Sequence, residues 1–124
     1  MAHVKTVLIA DDQPSLRLLV SATLASEEID IIEAADGDEA WQLLQQRRPQ
    51  LALLDVQMPG RTGIDLARAI RADEHLANTR VILLTSKAQQ QDVDAGLAAG
   101  ADRYLTKPFS PLELLEHVEQ LLEE

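Results

Sequence analysis

The sequence predicts an α/β fold, an open five-stranded parallel sheet with helices on both faces. Three observations predict it. Short apolar runs alternate with segments of helical period along the whole chain. Val7-Leu8-Ile9-Ala10, Leu51-Ala52-Leu53-Leu54 and Val81-Ile82-Leu83-Leu84 are unbroken apolar runs, as expected of strands covered on both faces. Ile29-Asp30-Ile31-Ile32-Glu33-Ala34 and Asp102-Arg103-Tyr104-Leu105 carry charges within the run, which suits sheet edges. Placing that charged pair at the edges, with right-handed crossovers, gives the strand order 2-1-3-4-5.

The helices follow in order. Pro14 and Ser15 open the first, and Leu16, Leu19, Val20, Thr23 and Leu24 recur on one face of it. Gly37-Asp38-Glu39 puts acid in the first turn of the second; Ala40, Leu43 and Leu44 face inward, Arg47 and Arg48 suit its C-terminal dipole, and Pro49 stops it. The third runs from about Gly63 to Ala72 with Ile64, Ala67 and Ile70 inward. A fourth, from about Gln89 to Ala99, offers only Val93 and Leu97 as large anchors and ends at Gly100, a left-handed cap. The fifth starts near Ser110-Pro111, with Ser110 and Glu113 as a capping box, and buries Leu114, Leu115, Val118, Leu121 and Leu122.

Composition bounds the function. A chain of 124 residues, 46% of them hydrophobic, is read as one domain over 1–124. Eleven basic against 21 acidic residues give a formal charge of −10, which repels nucleic acid and anionic lipid, so neither is an expected direct partner. With no cysteine there is no disulfide, thiolate ligand or thiol nucleophile. No run approaches about 18 consecutive apolar residues and the N-terminus has no signal-peptide pattern, so a soluble cytoplasmic protein is expected.

In a doubly wound sheet, ligands bind beyond the carboxyl ends of the strands where the strand order reverses, here between strands 1 and 3. Asp11 and Asp12 end strand 1 and Asp55 ends strand 3, so three carboxylates should converge there. Two like charges about 4 Å apart repel by about 4 kcal/mol at an effective dielectric near 20. A hard divalent cation relieves that repulsion, and Mg²⁺ fits carboxylates plus retained waters; zinc does not, since no His or Cys falls near these strand ends. Thr85, ending strand 4, and Lys107, following strand 5, would offer a hydroxyl and an ammonium to a phosphoryl group.

These segments together resemble the receiver domain of two-component response regulators over essentially the whole chain: Val7 to Asp12, Leu53-Leu54-Asp55-Val56-Gln57-Met58-Pro59-Gly60, Leu83-Leu84-Thr85, and Gly100 to Phe109 with its Lys107-Pro108. The resemblance implies a flavodoxin-like, three-layer α/β/α fold. It also implies that Asp55 is the phosphoacceptor, that Asp12, Asp55 and the backbone carbonyl of Gln57 ligate Mg²⁺ (Mn²⁺ substituting), and that Asp11 acts mostly through a water. Lys107 would pair with the phosphoryl group, Thr85 would close on it, and Tyr104 would turn inward as the switch. A cis peptide is implied at Lys107-Pro108, and Met58-Pro59-Gly60 reads as a tight turn with Gly60 at positive φ.

The implied partners are a sensor histidine kinase or histidine phosphotransfer protein, and a downstream target or output domain. The surface formed by helix 4, strand 5 and helix 5, including Gln89-Gln90-Gln91, Leu112, Glu113 and Glu116, would meet that target or a second copy as a homodimer. The chain is expected to switch and to dephosphorylate itself slowly rather than to act as a turnover enzyme. Ser86 stands where alanine or glycine is commoner in the family, and Gln57 and Lys87 occupy the positions that tune the phosphoryl lifetime. A phosphatase of the haloacid-dehalogenase type would need a second Asp where Gln57 stands, and a degenerate docking module would not need the full set of site residues. His3, His75 and His117 are not expected ligands, and Trp41 reads as a packing residue.

Overall fold

The computed structural model describes residues 4–86 and 90–123. The strands are β1 (Lys5–Ala10), β2 (Ile29–Ala34), β3 (Leu51–Asp55), β4 (Arg80–Ser86) and β5 (Arg103–Lys107). All pair in parallel, in the order β2-β1-β3-β4-β5 that the charge pattern predicts. The helices are α1 (Pro14–Leu24), α2 (Gly37–Arg47), α3 (Gly63–Ala72), α4 (Gln90–Ala99) and α5 (Pro111–Glu123), with one 3-10 turn at Glu74–Leu76.

The period-two alternation of the strands divides the apolar runs between two cores. Leu8, Ala10, Ala52, Leu54, Val81 and Leu83 face α2 and α3 through Ala40, Leu44, Leu66, Ala67 and Ile70. Val7, Ile9, Leu51, Leu53, Ile82 and Leu84 face α1 and α5 through Val20, Leu24, Leu114, Val118 and Leu121. Every side chain of the three unbroken runs is fully buried, which is why those runs contain no polar residue.

The local signals act as expected at most ends. Pro14 sits at the first turn of α1, Arg48 caps α2 in the left-handed region at φ 45°, and Gly100 ends α4 at φ 116°. The Ser110–Glu113 capping box is present, at 3.1 and 3.4 Å. A second box on α3, Thr62 with Asp65, was not anticipated. Lys107–Pro108 is cis and Gly60 has φ 78°.

Three expectations need correction. Leu19 and Leu97 are each 39% exposed: the buried stripe of α1 narrows to Val20 and Leu24, and among the described side chains of α4 Val93 is the large buried anchor. β5 runs from Arg103 to Lys107, so Lys107 closes the strand instead of following it, and Asp102 lies just before the strand. β4 extends to Ser86, one residue past Thr85. Gly96 brings α4 close to β4, since a Cβ there would stand 2.1 Å from Leu83 Cδ1. Lys87 and Gln89 lie outside the described residues, as does His3.

Candidate functional site

Register builds the site. Ala10 is level with Leu54, so the residues that follow, Asp11 and Asp55, leave the sheet side by side. Asp55 is level with Leu84, and Ser86 with Lys107, which brings the last residue of β5 to the same edge. Asp11, Asp12 and Asp55 each offer a carboxylate oxygen within 4.8 Å of the others. Asp11 and Asp55 are buried and Asp12 is exposed.

Lys107 links the two buried acids, with Nζ 2.9 Å from Asp11 Oδ2 and 3.2 Å from Asp55 Oδ2. The remaining oxygens accept backbone N–H groups two residues on: Gln13 N–H reaches Asp11 Oδ1 at 2.9 Å, and Gln57 N–H reaches Asp55 Oδ1 at 3.2 Å. These are local aspartate turns that fix each carboxylate to its own loop. The loop after Asp55 is held in turn by Gly37, whose N–H donates to Pro59 O at 2.9 Å, and by Gly63, whose N–H donates to Val56 O at 3.1 Å. Gly63 also admits close approach, because a Cβ there would lie 2.4 Å from the Asp55 carbonyl oxygen.

Electrostatics at this edge are incompletely compensated. Burial first, and the neighbouring Asp11 charge second, push the Asp55 carboxyl above its ordinary value of 3.8, against the opposing pull of Lys107. For Lys107, burial acts to lower the pKa, but the Asp11 hydrogen bond and the charges of Asp55 and Asp11 outweigh it and raise the ammonium above 10.5. Lys107 thus pairs with two of the three carboxylates, and Asp12 has no ion pair among the described residues.

The acids border an open polar cleft of about 490 Å³, lined by Asp12, Gln13, Asp55, Gln57, Ser86 and Lys107 among others. An all-oxygen donor set beside an open polar cleft suits a hard divalent cation that keeps several waters, and the cluster holds no His or Cys.

Of the residues expected at the site, Asp11, Asp12, Asp55 and Lys107 are brought together, and Gln57 lines the cleft. Thr85 is buried at the end of β4 with Oγ1 3.2 Å from the Ser86 carbonyl, and the cleft itself is lined by Ser86. Tyr104 is 39% exposed on the outer side of β5. His75 and His117 stand away from the acids; His117 Nδ1 lies 3.2 Å from Arg103 Nη1. Trp41 packs partly on the core, with the Arg61 guanidinium 5.1 Å above its ring. Arg17 was missed in the sequence: its Nη1 donates to the Asp11 carbonyl at 2.6 Å. Its only signal was that it is the one charged residue of α1.

Comparison with known proteins agrees with this fold. The chain is 38% identical over 118 residues to the phosphate regulon transcriptional regulatory protein PhoB of Pseudomonas aeruginosa, covering 95% of this chain and 52% of that protein. It is 40% identical over 112 residues to the DNA-binding response regulator MtrA of Mycolicibacterium smegmatis, covering 90% and 48%. The chain therefore spans about half the length of the curated relatives it matches. Among solved structures, the chemotaxis response regulator CheY4 of Vibrio cholerae superposes with a TM-score of 0.87 at 34% identity, covering 95% of this chain and 98% of that one. The receiver domain of the Francisella response regulator 1452 superposes with a TM-score of 0.85 at 32% identity, covering 96% and 97%. Residues 7–119 match the model of the response regulator receiver domain, and the chain belongs to that family of two-component response regulators.

Proposed function

We propose that this receiver domain accepts a phosphoryl group on Asp55 from a phosphohistidine, on a sensor histidine kinase or a histidine phosphotransfer protein, and passes the change to a protein target. The observation that carries the reading is a buried aspartate flanked by Asp11 and Asp12 within 4.8 Å and by Lys107 at 3.2 Å, at the mouth of an open cleft. Asp12, Asp55 and the Gln57 carbonyl would hold Mg²⁺, or Mn²⁺ in its place, with Asp11 acting through a water. Bound there, the cation supplies positive charge to an oxygen of the incoming phosphoryl group.

The chain's own groups do the rest. An Asp55 oxygen attacks phosphorus as the P–N bond of the donor breaks and its electron pair returns to the imidazole. Asp55 acts as a carboxylate, so no general base is required. Lys107, already against Asp55 Oδ2, meets the charge that gathers on the transferred oxygens. Gln57 N–H holds the other carboxylate oxygen and aims the nucleophile. The product is an acyl phosphate open to water from the cleft, so the domain resets itself slowly without turning over a free metabolite.

Thr85 and Tyr104 form the switch in this reading. The Thr85 hydroxyl, turned onto the Ser86 carbonyl, would rotate toward the phosphoryl group, and Tyr104 would move inward from its exposed position. The face of α4, β5 and α5 exposes Leu97, Tyr104 and Leu112 beside Glu113 and Glu116, and would meet an output domain, a separate target or a second copy. The side chains of Gln90 and Gln91 and all of Gln89 lie outside the described residues. Among the described residues no helix is long and apolar enough to cross a membrane, and we assign the domain to the cytoplasm, where a kinase would reach it.

Incubation with Mg²⁺ and acetyl phosphate, followed by intact mass, tests the reading. The wild type should gain one phosphoryl group that Asp55→Asn does not gain. Equal labelling of Asp55→Asn would overturn the assignment, and multiple turnover on a small phosphoester would replace the switch with a phosphatase.

A further inference from the structure

The carboxylates of Asp11 and Asp55 are each held by a backbone N–H and by Lys107. Asp12 differs. Among the described residues no hydrogen bond reaches its exposed carboxylate, so the peptide leading into Asp12 sets its direction. The carbonyl of that peptide belongs to Asp11, and Arg17 Nη1 donates to it at 2.6 Å. Arg17 Nε also meets Glu33 Oε1 at 3.3 Å, while the Asp11 N–H donates to Ala34 O at 3.1 Å.

The last two residues of β2 therefore grip the acidic turn from two sides, Ala34 directly and Glu33 through Arg17. Arg17 is itself fixed in the first turn of α1, its N–H donating to Gln13 O at 3.2 Å. Its side chain is only 17% exposed, whereas Glu33 is 48% exposed. The charge-assisted bond to the Asp11 carbonyl thus outweighs the wetter ion pair. A guanidinium suits the task because its rigid fork meets a carbonyl and a carboxylate at once.

We infer that Arg17 is a positioning residue of the cation site: from the β2 side of the acids it orients the Asp11–Asp12 peptide. The inference rests on the cation reading proposed above. Groups that orient ligands from behind typically account for about 10–100-fold in metal affinity.

Calorimetric titration of Mg²⁺ into the full chain tests it, with urea unfolding run beside each variant. Arg17→Ala should bind Mg²⁺ about tenfold more weakly and still unfold cooperatively. Arg17→Lys should recover part of the affinity, since one ammonium can reach the Asp11 carbonyl but loses Glu33. Glu33→Ala should show a smaller loss. Without metal, the Asp12 amide resonance should broaden in Arg17→Ala. If the wild type binds Mg²⁺ and Arg17→Ala binds it as tightly, or if lysine restores nothing over alanine, the inference is overturned while the cation reading stands. Absence of Mg²⁺ binding in the wild type would remove both. Should Arg17→Ala fail to fold, unchanged affinity in both Arg17→Lys and Glu33→Ala would overturn the proposal equally.

Discussion

At the start of β4 and β5, Asp102 accepts from Arg71 Nη2 at 2.8 Å, from Arg80 Nη1 at 3.4 Å and from the Val81 N–H at 2.8 Å. At the opposite edge, Asp11 and Asp55 share the ammonium of Lys107, with the Asp12 carboxylate close beside them. One aspartate has two ion-pair partners, and among the described residues the three aspartates have one between them. The first arrangement is complete in itself and joins four segments, because Arg71 also donates to Gly100 O and Thr79 O, each at 2.8 Å. The second carries excess negative charge beside an open cleft, and a cation with a phosphoryl group would complete it. The same residue type thus completes a network at one end of the sheet and leaves one incomplete at the other.

Breaking the completed end should have the largest effect. Arg71→Ala removes three hydrogen bonds in a partly exposed setting, taking the Arg71 donor from the Gly100 and Thr79 carbonyls while Asp102 keeps Val81 and Arg80, and should cost about 2–3 kcal/mol in urea unfolding. Its Mg²⁺ affinity should stay unchanged, since the two ends share no side chain. Completing the other end comes next. Mg²⁺ at about 100 times its dissociation constant should add about 2.7 kcal/mol to wild type and the same increment to Arg71→Ala.

Neutralising the unfinished end should have a smaller effect of opposite sign. Without metal at neutral pH, Asp55→Asn should be more stable than wild type, because burial and Asp11 disfavour the Asp55 charge and Lys107 keeps Asp11 as its partner. The smallest effect lies in its pH dependence. Because the folded-state pKa of Asp55 is raised, the native state holds its proton more tightly than the unfolded chain, and the stability this gives is complete below 3.8 and lost as pH rises through the raised value. The gap between Asp55→Asn and wild type should close below 3.8 and open above it. Lys107, also raised, contributes constant stability up to 10.5 and blurs nothing in that window. Paired thermal melts across acid to neutral pH would measure the gap.

Much of this contrast was legible in the chain, for identifiable reasons. Strand order followed from which apolar runs carried charge, and Asp11, Asp12, Asp55 and Lys107 could be placed because parallel strands deliver their C-terminal residues to one edge. The Arg71–Asp102 junction was not legible, since its partners lie about thirty positions apart and Asp102 read as one more edge-strand charge. Arg17 was hidden for a related reason: its acceptor is a backbone carbonyl, which no residue identity announces. Leu19 and Leu97 matched a helical stripe, yet α1 and α4 sit so that the stripe's margin faces solvent, and periodicity gives a face without giving its width.

Calorimetric Mg²⁺ titration of wild type, Asp55→Asn and Asp102→Asn bears on the central contrast most directly. The account predicts saturable one-site binding in wild type, the same affinity in a less stable Asp102→Asn, and little or no binding in Asp55→Asn. Equal binding in wild type and Asp55→Asn, or loss of binding in a folded Asp102→Asn, would contradict it.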